Sequence, residues 1–111
     1  MILFRTEHIA PILAGVKTQT RRAGDKRWNV GAIHQCKTTL FSPDPPFARV
    51  RILDVRRQRL GEMSRSEVLA EGYQTWPQYI AALSRINSRE FAPGDEVWVV
   101  TFELAEEADD D

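Results

Sequence analysis

Between Gly15 and Arg22 the chain crowds amine, guanidinium and hydroxyl groups into one short run, Gly-Val-Lys-Thr-Gln-Thr-Arg-Arg. Lys17, Arg21 and Arg22 supply positive charge, and Thr18 and Thr20 supply hydroxyls. In extended backbone, alternate side chains share a face. That rule puts Thr18, Thr20 and Arg22 on one side and Lys17 with Arg21 on the other. At the turn after Gly15 strict alternation can break, which would let Lys17 swing toward Thr20. Cations beside hydroxyls suit the holding of an anion. They also suit the activation of an alcohol, once an amine is desolvated enough to lose its proton. The same residue types also suit a solvated edge strand, and the segment alone does not choose between these readings.

The flanking pattern sets how this segment is held. Ile2-Leu3-Phe4 reads as a short strand, and a helix begins near Thr6 and His8 with Pro11 in its first turn. Ile9, Ile12, Leu13 and Val16 make its apolar face, and Gly15 stops it. After the polar loop Ala23–Arg27 comes a strand expected over Ala32–Leu40, then the proline-rich connection Ser42–Pro46, which cannot be a central strand. Phe47–Val55 alternates Ala48, Val50 and Ile52 with Arg49 and Arg51, a strand with one apolar and one basic face, and runs into the basic stretch Arg56–Arg59. Ser64 and Glu67 have capping-box spacing for a helix that Gly72 ends. A further helix starts after Thr75, with Trp76, Tyr79, Ile80, Leu83 and Ile86 as its buried stripe. Pro93-Gly94-Asp95 is a turn, and Val97–Phe102 reads as a strand buried on both sides. The pattern predicts an α+β domain around a small β-barrel of about five or six strands, closure of which removes exposed sheet edges.

The 111 residues, 42% hydrophobic and 28% charged, fit one domain over 1–104 and a disordered acidic tail over 105–111. The tail hides a charge asymmetry, because removing its five acids from a chain of net charge −1 leaves a body of +4. That charge is mostly arginine, 12 Arg to 3 Lys. Arginine's planar fork suits phosphates and bases, which points to a nucleotide or nucleic-acid partner; base composition or thermal adaptation produces the same excess. A single cysteine, Cys36, excludes an internal disulfide, and His8 and His34 lack metal-ligand spacing, so neither metal nor cofactor is expected. No signal peptide or membrane-length apolar run is present, and a cytoplasmic protein is expected.

Three features together resemble the ASCH domain family of the PUA-like superfamily: Gly15-x-Lys17-x-x-Thr20-x-Arg22 after a short helix, Ala70-Glu71-Gly72-Tyr73 closing a later helix, and a last strand entered through Gly94-Asp95. The resemblance implies a PUA-like barrel with helices flanking a cleft, and RNA or a modified pyrimidine nucleoside as partner. Many ASCH domains carry a glutamate where this chain has Thr20. The threonine form resembles small bacterial ASCH enzymes that hydrolyse the acetamide of N4-acetylcytidine, which implies Lys17, Thr20 and Glu71 as the catalytic set. Other ASCH proteins resemble ribonucleases or bind RNA without catalysis, so these remain the alternatives. On the amidohydrolase reading Thr20 attacks the acyl carbon, neutral Lys17 takes its proton, and Glu71 orients or protonates the leaving amine. The competing reading makes Lys17–Glu71 a structural salt bridge. Arg21, Arg22, Lys26, Arg27, Arg49 and Arg51 are the expected phosphate-facing set, and Tyr73, Trp28 and Trp76 the candidate stacking groups, of which Trp76 fits the core better.

Overall fold

A computed structural model describes residues 1–105. Five strands form one sheet in the order β1-β3-β4-β5-β2: β1 Ile2–Leu3, β2 Gln19–Arg22, β3 Ile33–Lys37, β4 Ala48–Arg59 and β5 Glu96–Leu104. β1 runs parallel to β3, and all other neighbours are antiparallel. Three α-helices accompany the sheet: α1 Ile9–Leu13, α2 Arg65–Ala70 and α3 Trp76–Asn87. The expected acidic tail lies outside the described residues apart from Ala105.

Local chemistry accounts for the element ends. Gly15, at φ +74°, takes the left-handed backbone that ends α1 and turns the chain into β2. Ser64 caps α2 by accepting from the Glu67 amide, while the Glu67 carboxylate accepts from the Ser64 amide. Thr75 and Gln78 repeat the device at α3, where Pro77 occupies the first turn. Gly72, at φ +93°, closes α2 and sends Tyr73 away from the helix axis.

The sheet curls into a half-barrel, with β1 and β2 as its two hydrogen-bonding edges. A side chain spans those edges: Arg22 of β2 donates from Nη2 to the Leu3 carbonyl of β1 at 2.8 Å, and its guanidinium lies 5.1 Å from the centre of the Phe4 ring. β3 is shorter than expected, and β4 is longer, running on through Arg59. A bulge at Leu53 interrupts the β4–β5 register between Ile52 and Asp54. The extra residue exchanges the faces of β4. Before it, Val50 and Ile52 point into the core that they share with Val100 and Phe102; after it, Val55 packs there, while Arg56 and Gln58 turn toward α2.

Two apolar clusters result, one on each face of β5. Ile2, Phe4, Ile12, Trp28, Cys36, Val50, Ile52, Val100 and Phe102 fill the first. Leu60, Val68, Tyr79, Leu83 and Val97 fill the second, beneath α2 and α3. Trp28 is therefore core, 8% exposed, and the stacking role expected for it is withdrawn. It follows a polar loop in sequence but packs on residues from both ends of the chain, which its neighbours could not reveal. Trp76 is half-buried against the second cluster and donates its indole N–H to the Leu60 carbonyl at 2.9 Å.

Candidate functional site

The chain that leaves α1 at Gly15 carries Lys17 under the end of α2. Two backbone amides there, of Val16 and Lys17, bond to the Pro11 carbonyl, and the Thr18 amide bonds to the Ala70 carbonyl at 2.7 Å. These bonds fix β2 against the last turn of α2, and Lys17 meets Glu71 as a consequence. Lys17 is 3% exposed and Glu71 2%, so an amine and a carboxylate share a dry site.

Each oxygen of the Glu71 carboxylate serves a different cation. Oε1 accepts from Lys17 Nζ at 2.7 Å, and Oε2 accepts from Arg21 Nη1 at 2.8 Å. Lys17 also donates to the Glu71 and Gln19 carbonyls, both at 3.1 Å, so its three N–H bonds have three acceptors. Burial drives the Lys17 amine toward its neutral form, and Glu71 opposes that drift; burial prevails, and the pKa falls below the usual 10.5.

Arg21, also 3% exposed, does not face solvent phosphate as expected. Its Nε and Nη2 donate to Gln58 Oε1 at 3.1 and 3.0 Å, and Nη2 reaches Glu67 Oε2 at 2.8 Å. The pleat sends it to the same side as Lys17, as alternation required, but that side is filled by carboxylates from α2. Glu67 also binds Arg56 and Gln58. Burial works against the Glu67 carboxylate, yet the Ser64 amide, Gln58 and Arg56 outweigh it and hold the pKa down at about 2.

Thr20 and Arg22 occupy the opposite side of β2. Thr20 is 4% exposed, and its Oγ1 accepts from Arg22 Nε at 3.0 Å. No hydrogen bond links Thr20 to Lys17 or Glu71 among the described residues. All three nevertheless line one cavity of about 520 Å³, within the size range of small-molecule sites. Arg22, His8, Tyr73 and Tyr79 line it too.

Several of these residues gave no signal in the sequence. His8 reads as a helix-start residue, yet its Nε2 lies 3.0 Å from the Tyr73 hydroxyl. Burial, aided by the Lys17 charge, pulls its pKa down to about 4 and leaves the imidazole neutral. Gln58 and Glu67 read as strand and capping residues and prove to be partners of Arg21. Tyr79 reads as core stripe but also lines the cavity. Tyr73 is half-buried on the cavity wall, whereas Lys26 and Arg27 stand exposed on the loop after β2 and do not line it. Arg51 pairs with Glu103, and the basic run is largely compensated: Arg56 by Glu67 and Asp54, Arg57 by Glu96 at 2.6 Å.

No protein-family model and no curated protein matches the chain. Solved structures do. A crystal structure of an Enterococcus faecalis protein of the DUF984 family superposes with a TM-score of 0.67 at 18% identity, covering 89% of this chain and 67% of that one. A crystal structure of an ASCH domain from Lactobacillus crispatus superposes with a TM-score of 0.60 at 15% identity, covering 86% of this chain and 69% of that one. The fold is that of an ASCH domain. In this ASCH-type half-barrel the cavity lies beside edge strand β2, between the first helical segment and α2–α3, and the buried Lys17–Glu71–Arg21 group forms part of its wall.

Proposed function

We propose that the chain binds a modified pyrimidine nucleoside or an RNA base in this cavity and hydrolyses an N4-acyl amide of the N4-acetylcytidine type. One observation carries the reading: the buried Thr20 hydroxyl lines the same cavity as the desolvated Lys17–Glu71 pair, and its proton has no acceptor among the described residues. The Arg22 bond to Thr20 Oγ1 lowers the cost of an alkoxide there.

Lys17, drawn toward its neutral form by burial, takes the Thr20 proton. Oγ1 then bonds to the acyl carbon, and the cationic cavity wall stabilises the oxyanion. The C–N bond breaks as the Lys17 proton passes to the leaving nitrogen, releasing cytidine. Water cleaves the acyl-threonine ester and returns the proton to Thr20, releasing acetate.

A second reading rests on an observation of its own. The three Lys17 N–H bonds already have three acceptors, which suits a fixed structural cation inside a binding module that performs no catalysis. Incubation with N4-acetylcytidine between pH 6 and 9 separates the two. The first reading expects cytidine and acetate, with Thr20→Ala abolishing turnover while the protein still folds. Absence of turnover with retained cytidine binding would leave the module; full activity in Thr20→Ala would remove the nucleophile.

A further inference from the structure

Once the internal bonds of the site are set aside, three of its cationic and hydroxyl groups keep a donor uncommitted: Thr20, Arg22 and Tyr79. Both Glu71 carboxylate oxygens are occupied by Lys17 and Arg21. The Thr20 hydroxyl accepts from Arg22 and keeps its own proton available. Arg22 commits Nε and Nη2 and leaves Nη1 without a bond among the described residues. Tyr79 is the most telling. It is 3% exposed, lines the cavity, and its hydroxyl has no hydrogen-bond partner among the described residues.

An orphaned buried phenol has a recognisable physical meaning. A residue needed only to pack on Leu60, Val68, Leu83 and Val97 serves equally well as phenylalanine, without burying an unsatisfied hydroxyl. The ring is held in place, edge-on to Tyr73 with centroids 5.6 Å apart. Burial and the nearby Glu71 charge push the phenol above its usual range, so it stays protonated and able to donate at any working pH. Donors at Thr20, Arg22 and Tyr79, with both Glu71 oxygens already occupied, fit a ligand edge that carries an acceptor there.

We propose that Tyr79 determines specificity in this cavity by donating a hydrogen bond to a carbonyl oxygen of the bound ligand. The proposal rests on the nucleoside reading above and names the group that recognises the carbonyl. Two oxygens of an N4-acylated cytidine qualify, the ring carbonyl and the acyl carbonyl, and a binding experiment tells them apart.

Calorimetry decides it, with cytidine and N4-acetylcytidine titrated into Thr20→Ala and into Thr20→Ala/Tyr79→Phe, so that no turnover intervenes. The expected result is an affinity loss of about tenfold on removing the phenol oxygen, equivalent to about 1.4 kcal/mol, with a thermal midpoint of the unliganded protein unchanged or raised. Loss for both ligands assigns the ring carbonyl; loss for N4-acetylcytidine alone assigns the acyl carbonyl. An affinity within twofold of the parent overturns the proposal, as does a lowered thermal midpoint, which would mark the hydroxyl as structural. If neither nucleoside binds the parent, the nucleoside reading and this proposal fall together. If cytidine binds but wild-type protein turns nothing over, only the hydrolysis fails, and the cytidine titration still decides the role of Tyr79.

Discussion

Replacing Glu71 by glutamine tests the group on which the site is built. The wild-type carboxylate gives one oxygen to Lys17 at 2.7 Å and the other to Arg21 at 2.8 Å. An amide can accept from only one of them and must turn its NH2 toward the other cation, donor against donor. Arg21 retains Glu67 and Gln58, so the unpaired charge falls mainly on Lys17, which keeps only two carbonyls. Breaking one partner out of a buried ion pair costs about 3–5 kcal/mol, and a domain of this size loses about 4–8 °C of thermal midpoint per kcal/mol. Glu71→Gln is therefore expected to melt more than 12 °C lower, on the order of three times that per-kcal/mol shift. The loss has a pH signature with a definite sign. The folded-state pKa of Lys17 lies below 10.5, so between the two values the unfolded chain holds the extra proton and stability rises with pH. Removing Glu71 deepens that depression, and the deficit against wild type shrinks from pH 7 toward pH 10. Lys17→Met/Glu71→Gln should recover much of the loss, because an apolar side chain needs no counter-charge. Urea unfolding of wild type, Glu71→Gln, Lys17→Met and the double variant at pH 7 and 9.5 completes the cycle. A Glu71→Gln deficit below about 1 kcal/mol, the value of an exposed pair, or a double variant no better than the single, refutes the buried-pair argument.

Trp28→Ala is expected to cost about 3–5 kcal/mol, as for a large aromatic cut from a core, measured by chemical denaturation; an effect below about 1 kcal/mol would return Trp28 to the surface. Acid should weaken the fold in two stages. His8 titrates near 6.5 unfolded and at about 4 folded, so stability present above pH 6.5 is lost as pH falls toward 4. Glu67, at about 2 folded against 4.5 unfolded, contributes stability present above pH 4.5 that is lost as pH falls toward 2. Unfolding midpoints at pH 7, 5 and 3 follow both stages, and His8→Phe should flatten the upper one; a wild-type midpoint constant from pH 7 to 4 contradicts the neutral, buried imidazole.

What could be read in the sequence was whatever a few neighbouring residues decide. The capping boxes at Ser64 and Thr75 are three-residue devices, Gly15 and Gly72 are single-residue stops, and the apolar run of β5 is its own signal. Strict alternation puts Lys17 and Arg21 on one side and Thr20 and Arg22 on the other, which is the arrangement found. The swing of Lys17 toward Thr20 expected from the turn after Gly15 produces no bond between them among the described residues. What alternation does not carry is the identity of the opposing surface. Arg21 and Arg22 are adjacent and chemically identical, yet one is sealed among Glu71, Glu67 and Gln58 while the other bridges Thr20 and the Leu3 carbonyl. Reading both as phosphate contacts failed for Arg21 because its acceptors come from β4 and α2.

The bulge at Leu53 shows why no local pattern would have repaired that reading. Upstream of it, the even-numbered residues Val50 and Ile52 face the apolar core; continued strictly, the same parity would have carried Arg56 and Gln58 into that core as well. One additional residue in β4 turns them to the other face, where Gln58 takes two donors of Arg21 and Arg56 joins Glu67. The basic run Arg56–Arg59 is thus partly the outer support of a buried network and not a free cationic strip. That support holds Arg21 against Glu71 and leaves the second carboxylate oxygen to Lys17. The position of the amine at the cavity wall therefore depends on a backbone irregularity thirty-odd residues away, which acts through side chains that have no chemistry of their own to perform.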